Sequence, residues 1–133
     1  MRDASRGGAL KPLRHPHLWL GTWIAALLAT IVASLLPVFL LPVVPPGGDK
    51  LEHFGGYALL AAGAVQLFAD KRALWRAAMG LVALGIALEI AQGAFTATRQ
   101  MDVVDAVANT CGVAGGMAVM LTPLRDLLLR LRG

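Results

Sequence analysis

The sequence predicts an all-α, polytopic membrane protein with four transmembrane helices, and three observations carry that prediction. Of its 133 residues 57% are hydrophobic, and a mean hydropathy of +0.67 exceeds what a soluble domain of this size needs for its core. Apolar stretches of spanning length recur four times, at about 18–40, 51–69, 75–95 and 103–122. The breaks between them carry proline, glycine or charge, the residues that end helices. A single transmembrane domain covering 1–133 accounts for the chain, with no internal repeat or low-complexity linker.

The first stretch holds 19 consecutive uncharged residues over 18–36, which at ~1.5 Å rise approaches the ~30 Å of bilayer hydrocarbon. It exceeds the ~7 to 15 residues of a signal-peptide core, and no small-x-small cleavage site closes it, so a retained span is expected. Pro37, Pro42, Pro45 and Pro46 with Gly47 and Gly48 then make a stiff, turned connection into Asp49, placed to cover whatever lies beneath it. The second span descends from Asp49, the third returns through Glu89 to Thr96, and the fourth starts after Asp102. Beyond it, Leu124, Leu127, Leu128 and Leu131 share one helical face, with Arg125, Arg130 and Arg132 largely elsewhere. That pattern predicts a short C-terminal amphipathic helix lying on the membrane as an anchor.

Orientation follows from the basic residues, because Lys and Arg in short loops stay in the cytoplasm. Arg2, Arg6, Lys11, Arg14, Lys71, Arg72, Arg76, Arg125, Arg130 and Arg132 fall on one side, against Lys50 and Arg99 on the other. Both termini are therefore expected in the cytoplasm and the protein in the plasma membrane. The net charge of +4 reports this topology and attraction to anionic lipid, so no nucleic-acid partner is implied.

Against this background the polar residues stand out. Glu89, Gln92, Arg99, Asp102, Asp105 and Asn109 recur at spacings of three, seven, three, three and four. A charge at the centre of a bilayer costs at least ~2.5 kcal/mol, so such residues mark a functional site by default. Glu89 precedes Thr96 by seven residues and Asn109 follows Asp102 by seven, which sets both ~10 Å below their span ends. On the second span Asp49, Lys50, His53 and Tyr57 lie at helical spacing on one face. Three helices are thus expected to aim polar stripes into one pocket that opens to the extracytoplasmic side at headgroup depth.

Structural roles compete for several of these residues. Asp49 with Glu52, and Asp102 with Asp105, have the spacing of a capping box. Arg99 can anchor at the interface, or grip a phosphate through its forked donors. Gln92 and Asn109 suit interhelical hydrogen bonds that orient a site. Gly112 and Gly116 form a small-x-x-x-small stripe for close helix packing, and Gly55, Gly56, Gly80 and Gly85 are read the same way. Cys111, the single cysteine, points ~200° round the helix from Asn109. Neither it nor Ser5 or Ser34 makes a convincing nucleophile. Glu89 has no structural excuse at mid-span.

Asp49-Lys50-x-x-His53-x-x-x-Tyr57, then Glu89-x-x-Gln92, then Arg99 before Asp102-x-x-Asp105-x-x-x-Asn109-x-x-Gly112, resembles the VanZ-like family of small membrane proteins. The resemblance covers about 49–116, the second through fourth spans, and rests on the order and spacing of these fragments together. The family takes its name from a protein associated with teicoplanin resistance. The resemblance implies a cell-envelope membrane protein grouped with enzymes of lipid headgroups or lipid-linked envelope intermediates.

The chemistry of the residues fits that expectation. Glu89, Asp105 and His53 are the candidate catalytic groups, offering an acid and a base in unequal environments. Lys50, Tyr57, Gln92, Arg99, Asp102 and Asn109 are the candidate substrate-binding groups, with Lys50 or Arg99 holding a phosphate and stabilising charge on it. Glu89, Asp102 and Asp105 could instead hold a divalent cation such as Mg²⁺, although the spacing completes no phosphoryl-transfer metal motif. The leading expectation is an enzyme that modifies, hydrolyses or exchanges phosphate-bearing lipid headgroups or lipid-linked precursors. The alternatives are a binding or transport protein for a lipid-linked or glycopeptide-like ligand, alone or as an oligomer, and a membrane-assembly subunit.

Overall fold

The computed structural model describes residues 8–131. Arg2, Arg6 and Arg132, which enter the charge asymmetry, and Ser5 lie outside the described residues. Four long helices follow one another: α1 Pro16–Leu35, α2 Gly48–Leu67, α3 Lys71–Phe95 and α4 Val103–Met117, the last prolonged by a 3₁₀ turn over Ala118–Leu121. No strand occurs among the described residues beyond an isolated bridge between Leu10 and Phe68. Three helices are long and apolar enough to cross a membrane, Pro16–Leu35, Lys71–Phe95 and Val103–Leu121, and the fold is compatible with a membrane protein. The remaining helix, α2, carries Asp49, Lys50, Glu52 and His53 in its first two turns.

Helix ends follow local chemistry. Leu36, held extended before Pro37, stops α1 five residues short of the expected boundary at 40. Gly47 turns the chain into α2 at φ +82°, a left-handed conformation that glycine adopts without strain. Asp70 caps α3 by accepting the Ala73 N–H at 3.0 Å. Asp102 does the same for α4, accepting the Val104 N–H at 2.8 Å. Asp49 caps nothing: Gly47 holds the cap position of α2 and the Asp49 carboxylate turns to Lys50.

The centre of the fold is the pair α2 and α4, packed more closely than any other two helices. Glycine makes this approach feasible. A Cβ on Gly112 would collide with the Phe54 carbonyl, and one on Gly116 with the Ala58 carbonyl and with Ala61 Cβ at 2.7 Å. Gly85 on α3 likewise admits Asn109 and Tyr57, whereas a Cβ on Gly55, Gly56 or Gly80 meets nothing within 4 Å. Those three are not packing glycines. Ala61, Ala64, Val65, Leu81, Val113 and Met117 belong to the apolar core built from α2, α3 and α4.

No residue of α1 is buried, and Leu18, Leu28 and Val32 each expose more than half of their surface. The helix leans on α2 through Trp23, whose indole N–H donates to the Leu60 carbonyl at 2.8 Å. The end of the chain departs from the expected single amphipathic helix. Pro123 starts a 3₁₀ turn over Pro123–Asp126, and only Leu127–Arg130 is α-helical, labelled α5. Leu124, Leu127, Leu128 and Leu131 face a groove against α1 and α2. Lys11 ties this segment to the chain start through Asp126 at 2.9 Å and the Arg125 carbonyl at 2.5 Å.

Candidate functional site

The three expected polar stripes meet. The starts of α2 and α4 and the end of α3 lie together, and their side chains close a ring. Lys50 Nζ reaches Asp49 Oδ2 at 3.0 Å, Asp102 Oδ2 at 2.6 Å and Asp105 Oδ1 at 2.5 Å. The other oxygen of Asp105 faces His53 Nε2 at 3.5 Å. His53 Nδ1 lies 2.8 Å from Asn109 Oδ1 and 3.8 Å from Glu89 Oε1. Glu89 Oε2 then accepts the backbone N–H of Asp102 at 3.2 Å, which returns the path to its start.

Each position in the ring has a sequence cause. His53 and Tyr57 are one turn apart on α2, and the close α2–α4 approach brings Asn109 against them. Capping orients Asp102, which serves α4 and Lys50 at once. The Lys50 ammonium beside Asp102 holds its carboxyl below the ordinary 3.8. Glu89 and Asn109 are buried to 3% and 2% exposure, which the ring satisfies, since no fully buried side-chain polar atom lacks a partner among the described residues.

A cavity of about 560 Å³ opens beside the ring. His53, Tyr57, Gln92, Arg99 and Asp105 line it, together with Asp49 and Glu52. Val38, Leu41, Pro42 and Val44 of the proline-rich connection form another wall, as that segment's position in the sequence suggests. Lys50, Glu89, Asp102 and Asn109 do not reach the lining and stand behind it. Of the three candidate catalytic groups His53 and Asp105 are the ones presented to the cavity, while Glu89 and Asn109 back the imidazole.

His53 Nδ1 faces the Asn109 amide oxygen, and Nε2 is the nitrogen beside Asp105. That arrangement suits proton exchange with a molecule in the cavity, the imidazole held in one orientation from behind.

Both basic residues have partners within the protein. Lys50 lies among three carboxylates and serves to hold Asp102 and Asp105. Arg99 donates Nε–H to the Leu36 carbonyl and Nη2–H to the Ala33 carbonyl, each at 3.1 Å, so it caps the end of α1. Two of the five guanidinium donors are used in this way, and the group is fixed at the cavity wall. Gln92 donates to the Ser34 carbonyl at 2.9 Å and pins α3 to α1. Sequence reasoning missed Glu52, Thr30, Ser34 and Gly56 as cavity residues. Gly56, one turn after Glu52, reads in the sequence as a packing glycine, and Glu52 as a cap.

One donor atom from each of His53, Glu89 and Asp105 lies within 4.8 Å of the others. Asp102, expected in a metal set, turns to Lys50 instead, and His53 takes its place. An imidazole with two carboxylates is a donor set for Zn²⁺, Mn²⁺ or Fe²⁺ more than for Mg²⁺, which prefers oxygen. Cys111 is exposed and outside the ring. In comparisons with known proteins, no family model, no curated protein and no solved structure matches this chain.

Proposed function

We propose that this is a four-span plasma-membrane protein with both termini in the cytoplasm, and that it is an enzyme acting on a phosphate-bearing lipid headgroup or lipid-linked envelope intermediate at the extracytoplasmic surface. The resemblance of 49–116 to the VanZ-like family is part of the same reading. The observation that carries it is His53 and Asp105 side by side on the wall of an open polar cavity, with Glu89 and Asn109 fixing the imidazole from behind. Counting α2 as a span places this cavity at headgroup depth, where a lipid phosphate lies.

In this mechanism Arg99, already oriented by the α1 carbonyls, receives the phosphate oxygens through its remaining donors. A water or hydroxyl attacks phosphorus and forms the new P–O bond while its proton passes to His53 Nε2. The old P–O bond breaks, and the leaving oxygen takes that proton back from the imidazolium. Asp105 lies beside the imidazolium and stabilises its charge, and Lys50 keeps Asp105 in place. Glu89 is a positioning residue.

A second reading, a membrane-assembly subunit, draws on the closed ring, because a ring that satisfies its own charges also fixes three helices. Lipid profiling by mass spectrometry separates the two, comparing membranes that hold equal amounts of wild type, His53→Gln, Asp105→Asn and Glu89→Gln. The enzyme reading expects one lipid class to change with the wild type and not with His53→Gln or Asp105→Asn. Coincident profiles for folded, abundant proteins would sink it.

A further inference from the structure

The cavity adjoins a second space. A groove of about 680 Å³ runs between α1, α2 and the chain's last turns. Its walls are almost wholly apolar, with Trp19, Trp23 and Ala26 on α1, and Leu60 and Gly63 on α2. Thr30 and Gly56 line both spaces.

At this shared edge the side chains are small or absent. The Thr30 hydroxyl donates to the Ala26 carbonyl of its own helix at 2.9 Å, which satisfies the polar atom within α1. Gly56 has no side chain, and a Cβ there would meet nothing within 4 Å. A larger residue at Gly56 would stand at the edge that the two spaces share. From Thr30 to Trp19 the α1 wall is eleven residues long, about 16 Å at ~1.5 Å rise, or half the hydrocarbon thickness.

The geometry points to a single amphiphile occupying both spaces, a phosphate-bearing membrane lipid with its headgroup in the His53–Arg99 cavity and one hydrocarbon chain in the α1–α2 groove. This rests on the headgroup reading above and adds to it the seat of the chain and Gly56 as the residue that sets access. Hydrocarbon is the medium against exposed α1, so it is the occupant an apolar groove there takes up. The edge shared at Thr30 and Gly56 sets the groove against the cavity, within reach of the chain of the bound headgroup. Chain recognition also explains why α1, which supplies no ring residue, carries Trp19, Trp23, Ala26 and Thr30 at the spacing of one helical face.

Trp19 and Trp23 make the groove observable. The full-length protein carrying Trp75→Phe is placed in phosphatidylcholine vesicles, and phosphatidate brominated on its acyl chains is added at low mole fraction. Brominated phosphatidylcholine at the same fraction measures ordinary lipid contact. Headgroup binding is read separately by calorimetric titration with soluble dihexanoyl phosphatidate. Brominated phosphatidate is expected to quench in excess of the phosphatidylcholine control. Gly56→Leu at the junction, and Ala26→Phe within the groove, should each lower that apparent affinity about tenfold, with dihexanoyl binding retained in Ala26→Phe, whose position lines the groove alone, as proof of an intact fold and cavity. If dihexanoyl phosphatidate binds but the excess quenching is missing, or survives in both variants, the groove proposal is overturned and the headgroup reading stands. If the wild type binds neither probe, the headgroup reading fails and this proposal fails with it.

Discussion

The same four helices are held together by different physics at their two ends. Where α2 and α4 finish, Ala61, Ala64, Val65 and Met117 interlock with Leu74 and Ala78 of α3, and no charge among the described residues is buried. Where α2 and α4 begin, Glu89, Gln92, Asp105 and Asn109 are buried instead, and charge-assisted hydrogen bonds take the place of apolar packing. Apolar packing is non-directional and tolerates repacking, whereas a polar network needs every member in place. A protein that needed only stability would have had no reason to build its two ends differently. The polar end is the one that opens into a cavity lined by titratable groups.

The comparison predicts that substitutions at the polar end cost function and those at the packed seams cost stability. His53→Gln tests the first half with the largest expected effect, a fall of about 10²- to 10⁴-fold in conversion of the affected lipid, the range for loss of a positioned proton carrier. Thermal unfolding should move little. Unchanged turnover would make the polar end as purely structural as the apolar one.

Gly116→Val tests the second half. The new side chain would enter the space of the Ala58 carbonyl and of Ala61 Cβ at 2.7 Å from the ideal Cβ position. Overpacking of this kind costs about 3 kcal/mol, read as a lower unfolding midpoint or loss of the protein from the membrane. Gly80→Ala, at a glycine with open space around it, should change stability by no more than about 0.5 kcal/mol. Equal losses at the two glycines would remove the α2–α4 seam from its central place.

Lys50→Met sharpens the comparison through pH. In the wild type Lys50 holds the Asp102 carboxyl below its ordinary 3.8, so the stabilisation is complete above that value and is lost as pH falls through the lowered one. Without Lys50 the carboxylates of Asp49, Asp102 and Asp105 repel one another when ionised. The variant should be less stable at neutral pH and gain stability relative to the wild type as acid neutralises them. An unfolding midpoint followed from pH 7 down to about pH 3 reads the change of sign.

The smallest effect is expected at the far end. Lys11 and Asp126 form a partly exposed pair there, with side chains 12% and 39% exposed. Lys11 holds the Asp126 carboxyl low. Lys11→Met should cost about 0.5 kcal/mol, the measure of a surface ion pair, and leave lipid conversion unchanged. A larger loss of activity would show that the chain-end clasp reaches the cavity.

Much of the fold is legible in the order of residues because helix length, proline stops and glycine stripes are local or periodic signals. Apolar length places all four helices. The wide small-x-x-x-small reading is right for Gly112 and Gly116, whose neighbours are backbone of α2, and wrong for Gly55, Gly56 and Gly80, because spacing cannot report what stands opposite. Candidate site residues are visible as polar groups in apolar surroundings. Their division of labour is not: in the sequence Arg99 reads as an anchor or, preferentially, a phosphate grip, and only the position of the α1 end shows that it donates to Ala33 and Leu36.

By itself the sequence determined that the chain is helical and which polar residues stand out against an apolar background, since each depends on composition and period along one segment; it predicted four spans, and three of the helices have the length and hydropathy to cross a membrane. Tertiary structure alone decided the rotation of α2, α3 and α4 about their axes. That rotation, set by which glycines allow backbones to touch, put Lys50 among three carboxylates, turned His53 to the cavity with Glu89 behind it, and left Gly56 open at the passage to the groove. Side-chain period constrains a face only to within a residue or two. The contacts that choose among those rotations lie between distant segments, as in the ion pair of Lys50 with Asp105, 55 residues apart.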